Sequence, residues 1–244
     1  MAFFAGSFAA PTPQRMSHTL RALAWLLRYP DDTLRVHLPD LRGALHDERA
    51  LGAARLAEID ALVERLASLP PLRAEAEYFD LFDRGRRTSL HLFEHVHGDS
   101  RDRGQAMVDL TQTYERAGLL MAGGELPDYL PLVLEYASTQ PAAQAVEFLR
   151  ELAHIVRLVF TALIERQSAS AAHFAAVLGA VLDLAGEKAE RVPLPDEPPL
   201  DESWAEPPAF DGCSSKGQAR ADTPQPIHVH RKASAGAVPP RAAV

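Results

Sequence analysis

At 244 residues, 47% of them hydrophobic, the chain can build a sizeable core as one large domain or as one domain with a tail. A net charge of −8 lacks the basic footprint of a general nucleic-acid binder. The single cysteine, Cys213, excludes an internal disulfide, and no apolar run approaches the ~20 residues of a membrane span, so the cytoplasm is the expected location and no membrane insertion is expected.

The opening MAFFAGSFAAPTPQR has no basic residue before Arg15, and Gly6 and Pro11 break its apolar stretch, so it does not read as a secretion signal. Residues 1–15 are expected to be a disordered lead or a misplaced start, with Met16 just ahead of the first periodic segment. The body then reads as helix after helix. SHTLRALAWLLRYP puts Leu20, Leu23 and Leu27 on one face and Pro30 at its stop. In ARLAEIDALVERLASLPP, Leu56, Ile59, Val63 and Leu66 fall at helical spacing, with Glu58, Glu64 and Arg65 expected outside. LRAEAEYFDLFDRG follows. The next segment, from Ser100 through Met121, is expected to be one long helix capped by Asp99 or Ser100 and stopped by Gly123-Gly124. DYLPLVLEYAS starts near Asp128, a candidate N-cap, with Pro131 in its first turn. Two further helices are AAQAVEFLRELAHIVRLVFTALIERQ, carrying Val146, Leu149, Leu152, Val156, Val159 and Leu163, and AAHFAAVLGAVLDLAGEKAE. No sustained alternation suggests a sheet, so the fold class is all-α. Residues 192–244 hold ten of the nineteen prolines and no periodicity. The expected organisation is a helical domain over residues 16–191 and a flexible Pro-rich tail over 192–244.

One spelling suggests catalysis. His91-x-x-Glu94-His95 matches an inverted zinc-peptidase pattern, in which two histidines ligate zinc and the glutamate is the base. On a helical wheel these three share a face opposite Leu92, Phe93 and Val96, and Glu147, Glu151 or His154 could add a ligand. Any amphipathic helix with polar residues at this spacing does the same. Phosphate-loop and nucleophile-elbow signatures are missing, and without a sheet the usual nucleotide crevice has nowhere to form.

The stretch around this spelling carries more information. YFDLFDRGRRTSLHLFEHVHGDSRDRGQAMVDL, from Tyr78 to Leu110, resembles the NarJ family, the assembly chaperones of respiratory nitrate reductase within the wider TorD/DmsD/NarJ group. The group's Tyr-x-x-Leu-Phe signature stands here as Tyr78, Leu81 and Phe82. ELPDYLP, Glu125 to Pro131, is similar to the NarJ form of the group's Pro-Asp-His segment, with Tyr129 in place of histidine. The start LRALAWLLRYPDDTL and the tail pieces EPPAF and QPIH fit as well, so the resemblance spans roughly residues 17–227. His91 is a departure, since the family usually has an aliphatic residue there; the zinc spelling is one substitution away from not existing.

The resemblance implies an all-helical bundle of the TorD/NarJ chaperone type, no catalytic activity, no metal and no cofactor of its own. It implies as partner the N-terminal segment of the apo catalytic subunit of nitrate reductase, held open while molybdenum cofactor and an iron–sulfur cluster are inserted, with molybdenum cofactor delivery proteins as further candidates. A basic amphipathic segment would lie in an apolar groove with an acidic rim. Tyr78, Leu81 and Phe82 are candidates for the floor, although core packing suits Leu81 and Phe82 too. Glu77, Asp80, Asp83, Glu94, Asp99, Asp102, Glu125, Asp128 and Glu135 supply candidate rim charge. His95, Arg101, Pro127 and Tyr129 complete the candidate binding residues. Glu94 and His95 could instead be a buried pair fixing the Arg84–Thr88 turn, Arg101 and Arg103 could pair with Asp102 on a solvated face, and Trp204 suggests a tail that folds over the groove.

Overall fold

The computed structural model describes residues 15–98, 100–121 and 124–195, with the backbone but not the side chain of Arg101. The lead before Arg15 and the tail from Asp196, including EPPAF, QPIH, Trp204 and Cys213, lie outside the described residues. The described elements are α1 (Ser17–Leu26), α2 (Asp32–Glu48), α3 (Ala53–Ser68), α4 (Pro71–Phe82), a 3₁₀ turn (Arg86–Thr88), α5 (Glu94–His97), α6 (Arg101–Arg116), α7 (Leu130–Thr139), α8 (Ala142–Glu165) and α9 (Ala169–Leu184). Among the described residues the only extended pairing is one antiparallel bridge between His91 and Tyr129. The all-α expectation holds.

The core is built around α9. Its sequence is apolar on almost every face, as suits a helix covered on all sides. Phe174, Val177, Leu178, Val181 and Leu182 are each at most 2% exposed. Helices α8 and α3 pack on it, while α1 packs on α7 and α2. Of the apolar positions expected for α1 and α3, Leu20, Leu23, Leu27, Ile59, Val63 and Leu66 are buried, and Leu56 is half-buried against the core. Arg65, expected outside, instead turns toward α4, where its Nη2 donates to Glu77 at 2.7 and 2.9 Å. One glycine lets a side chain pass close over its helix. A Cβ on Gly179 would stand 2.6 Å from Cζ of Arg55, whose Nε reaches Asp183 at 2.8 Å.

Helix α2 has no counterpart in the periodicity reading. Pro39 sits inside it and only Leu34, Leu38 and Leu45 are buried, so its apolar stripe is thin. Strong ends compensate. Asp31 caps it by accepting from Leu34 N–H at 2.8 Å. At its other end Glu48 accepts the His18 and Thr19 N–H groups at 3.2 and 2.6 Å, capping α1, which has no side-chain cap of its own. Helix α6 is shorter than expected. It stops at Arg116, where Gly118 takes φ +78° and Leu119 N–H donates back to Tyr114 O at 3.0 Å, a left-handed closure that satisfies the orphan carbonyls. Gly123 lies outside the described residues, and Gly124 belongs to the loop beyond.

Candidate functional site

The α5 region and the start of α7 meet at Asp128, which is fully buried. Its Oδ2 accepts Phe93 N–H at 3.0 Å, and its Oδ1 is 3.4 Å from His91 Nδ1. The backbone reinforces this: Leu92 N–H donates to Asp128 O at 3.1 Å and Leu130 N–H to Leu90 O at 2.9 Å, the two arms of the His91–Tyr129 bridge. A carboxylate taken out of water needs such donors. The hydrogen bond to Asp128 holds His91 above its ordinary pKa, against the opposing pull of burial. Asp128 is therefore not the N-cap of α7, a position held by Tyr129 without a side-chain cap; it is a buried clamp on the 90–93 segment. Pro127 is part of the same clamp, because Tyr114 Oη donates to its carbonyl at 2.8 Å.

The zinc geometry does not form. Helix α5 covers only Glu94–His97, so His91 lies outside it and the wheel that united the three polar residues does not apply. His91 faces Asp128, His95 Nε2 lies 2.9 Å from Ser89 O, and Glu94 accepts from Arg103 at 3.2 Å. Among the described residues no three His, Cys, Asp or Glu side chains converge as a metal site. Nor are Glu94 and His95 a pair with each other; His95 alone secures the carbonyl just after the Arg86–Thr88 turn. Asp99 and the Arg101 side chain lie outside the described residues. Ser100 caps α6 by accepting Asp102 N–H at 3.0 Å, and Asp102 itself is exposed.

The three signature residues are in the core. Tyr78, Leu81 and Phe82 are at most 5% exposed and do not floor an open groove; the Tyr78 and Phe82 rings pack edge-to-face on Phe174. The Thr88 hydroxyl donates to Leu81 O, which ties the 3₁₀ turn to α4. Tyr78 Oη donates to Leu27 O at 2.7 Å and stands 3.3 Å from Tyr129 Oη. Burial pushes both phenols up, so both stay protonated and neutral. This pair links the Tyr-x-x-Leu-Phe segment to the ELPDYLP segment and to the end of α1.

An open groove lies beside that link, between the end of α1, the loop after α6 and the outer face of α7. Its cavity is about 460 Å³, and Trp25, Tyr114, Leu119, Leu120, Leu132 and Tyr136 give it apolar walls. Leu120, on the loop side of this groove, is 87% exposed, and with its apolar neighbours it forms a contiguous apolar patch rather than a lone surface leucine. Arg21, Arg28, Glu125 and Glu135 stand at its edges. Arg28 lies over the Trp25 ring, 5.3 Å from its centroid, and 3.6 Å from Glu135. Of the expected acidic rim, among the described residues only Glu125 and Glu135 line this groove. Glu77 is held by Arg65 and Arg73, Asp80 by Arg84, Glu94 by Arg103, and Asp128 is buried. The sequence reading missed Trp25, Leu120 and Tyr136. The available signal was the Leu119-Leu120-Met121 triplet, apolar on consecutive positions and so impossible to bury on one helix face.

The family model described as nitrate reductase delta subunit matches residues 48–176. The nitrate reductase molybdenum cofactor assembly chaperone NarJ of Escherichia coli K12 is 39% identical over 226 residues, covering 88% of this chain and 92% of its own length. The probable assembly chaperone NarW of the same organism is 42% identical over 68% of each chain, and the probable NarJ of Bacillus subtilis is 36% identical over 49% of this chain and 64% of its own. A solved structure of a putative redox enzyme maturation protein from Archaeoglobus fulgidus aligns with a TM-score of 0.47 and 17% identity, over 71% of this chain and 96% of that one. The NarJ and NarW relatives are named as assembly chaperones. This chain belongs to the nitrate reductase delta subunit family, in its NarJ branch of assembly chaperones.

Proposed function

We propose that the chain is a cytoplasmic, non-catalytic chaperone that binds the N-terminal segment of the apo catalytic subunit of a respiratory nitrate reductase. It would hold that subunit open while molybdenum cofactor and an iron–sulfur cluster are inserted. The observation that carries this reading is the groove of Trp25, Leu120, Leu132 and Tyr136, an exposed apolar trough on a chain whose relatives are named assembly chaperones. An amphipathic helix suits such a trough. Each Leu- or Phe-sized anchor buried there contributes about 1.5–3 kcal/mol before ordering costs. Exposed charge pairs at Glu125 and Glu135 contribute at most ~1 kcal/mol each and serve register and steering.

The candidate binding residues then divide by position. Tyr129, with Tyr78 behind it, sets the end of α7 that carries Leu132, Glu135 and Tyr136. Leu81 and Phe82 hold α4 against the core beneath it. Pro127, Asp128 and His95 fix the loops that carry Glu125 and α6. Glu94 and Asp102 belong to the α5–α6 junction, outside the groove lining, while Asp99 and the Arg101 side chain lie outside the described residues. Titration of the full chain with a synthetic N-terminal peptide of the catalytic subunit tests the assignment. Wild type should bind saturably, and Leu120→Asp should weaken binding at least tenfold without lowering Tm. Unaltered affinity in Leu120→Asp and in Tyr136→Ala would remove the groove from the account, and binding only of leader peptides from other molybdoenzymes would redirect the partner.

A further inference from the structure

Of the charged side chains that line the groove, two already answer each other. Arg28 lies 3.6 Å from Glu135 and covers the Trp25 ring. Arg21 and Glu125 are left, and among the described residues neither has an ion-pair partner. Arg21 is nonetheless held in place. Its Nε donates to Ser138 Oγ at 3.2 Å, and that hydroxyl donates to Glu135 O at 2.6 Å. Ser138 is buried in the last turn of α7 and is neutral, so it fixes the guanidinium without cancelling its charge. Glu125 belongs to the other end. Tyr129, the N-cap of α7, donates its N–H to Leu126 O at 3.1 Å, a turn that ties the residue after Glu125 to the start of the helix. Ser138 lies nine residues beyond Tyr129, roughly 13 Å along the axis. Leu132, Glu135 and Tyr136 line the groove between these ends. The trough is therefore polar along its length, with an unanswered anion where α7 begins and an unanswered cation where it finishes.

We infer that the groove selects the direction of the helix it binds as well as its apolar face: the occupant's amino end lies at Glu125 and its carboxyl end at Arg21. This rests on the groove reading above. A helix carries about half a positive charge at its N-terminus and half a negative charge at its C-terminus. The partner segment assigned to the groove begins a chain, and its α-amino group, with a pKa of about 7.7–8.0, adds a positive charge at neutral pH. In this direction each end meets a groove charge of opposite sign; reversed, both ends meet their own sign. The bound helix thus runs parallel to α7 and antiparallel to α1. The occupant's chemistry follows: about nine helical residues spanning ~13 Å, a free amino terminus or a basic side chain in the first turn, and no basic side chain in the last.

The test uses the full chain and peptides of about twelve residues from the catalytic subunit's N-terminus, made with the amino end free or acetylated and the carboxyl end free or amidated. With the amidated peptides, acetylation should weaken binding to wild type about threefold more than binding to Glu125→Gln, and to the same degree in Arg21→Gln as in wild type. With the acetylated peptides, a free carboxylate should tighten binding to wild type about threefold more than binding to Arg21→Gln, and Glu125→Gln should keep that gain. Each comparison is a cycle, so the effect of the end group on the peptide's own helicity cancels; Tm of each variant checks the fold. Coupling of the amino end to Arg21 and of the carboxyl end to Glu125, or coupling of neither end to either residue, would overturn the direction while leaving the groove standing. Unchanged affinity for every peptide in Leu120→Asp, or no binding of any to wild type, would overturn the groove reading and the direction with it.

Discussion

At Asp128 one buried carboxylate serves a loop N–H and a histidine while its backbone carbonyl accepts the bridge hydrogen bond from Leu92 N–H, so removal of the carboxylate is costly. Asp128→Ala leaves the Phe93 N–H without its acceptor and should lower stability by about 1–3 kcal/mol in urea unfolding. Asp128→Asn keeps an acceptor and should cost less; equal losses would mean the hydrogen bond is not what matters. His91 adds a pH dependence whose sign is fixed. Its folded pKa is raised by Asp128, so the contact stabilises fully below the unfolded value of about 6.5 and fades as pH climbs through the folded one. Glu94 and Arg103 also face it and oppose each other. Thermal unfolding from pH 5.5 to 8.5 should therefore show wild type losing stability relative to His91→Leu as pH rises, and parallel curves would contradict it. None of this was legible in the sequence, where His91 was a zinc-ligand spelling discounted by the family resemblance and Asp128 a candidate cap or rim charge. Both readings assumed that a residue's role follows from its neighbours in the chain, and a bridge across 37 residues sets both instead.

Element ends show a similar division. Periodicity placed α1, α3, α4, α8 and α9 well, because each buries a broad apolar stripe or is apolar throughout. It missed α2, whose stripe is thin and interrupted by Pro39, and whose start is held by the Asp31 cap. It also carried α6 past its stop, because Leu119, Leu120 and Met121 look like helix interior until Gly118 turns the chain into the left-handed region. That closure is testable. Gly118→Ala should cost roughly 1 kcal/mol, read as a lower Tm, because a Cβ is disfavoured at positive φ. A neutral substitution would show that α6 ends for another reason. Because Leu119 and Leu120 follow directly, the same change should also weaken peptide binding if the groove is the site. Phe174→Ala, in the centre of the Tyr78–Phe82 cluster on α9, should cost about 3–5 kcal/mol, close to the whole stability of many domains.

For the molecule as a whole, the fold and family were readable from the sequence, and the open surface was not. Tyr78, Leu81 and Phe82 were candidates for a groove floor because a signature of aromatic and aliphatic residues fits a core and a groove equally well; burial decides between them, and burial is a property of the packed chain. The exposed groove lies on α1, α7 and the α6–α7 loop, and among the described residues two of the expected carboxylates, Glu125 and Glu135, stand on its rim. A ligand that binds only the folded chain must stabilise it, by about 2.7 kcal/mol at a hundred times Kd, so the partner peptide should raise Tm measurably. The most direct measurement is calorimetric titration of the full chain with the N-terminal peptide of the nitrate reductase catalytic subunit, at low and at raised salt. The account predicts saturable one-to-one binding with a negative heat-capacity change and only a few-fold loss of affinity in salt, because apolar burial dominates two screened rim charges. Absence of binding, or binding that salt abolishes, would contradict it.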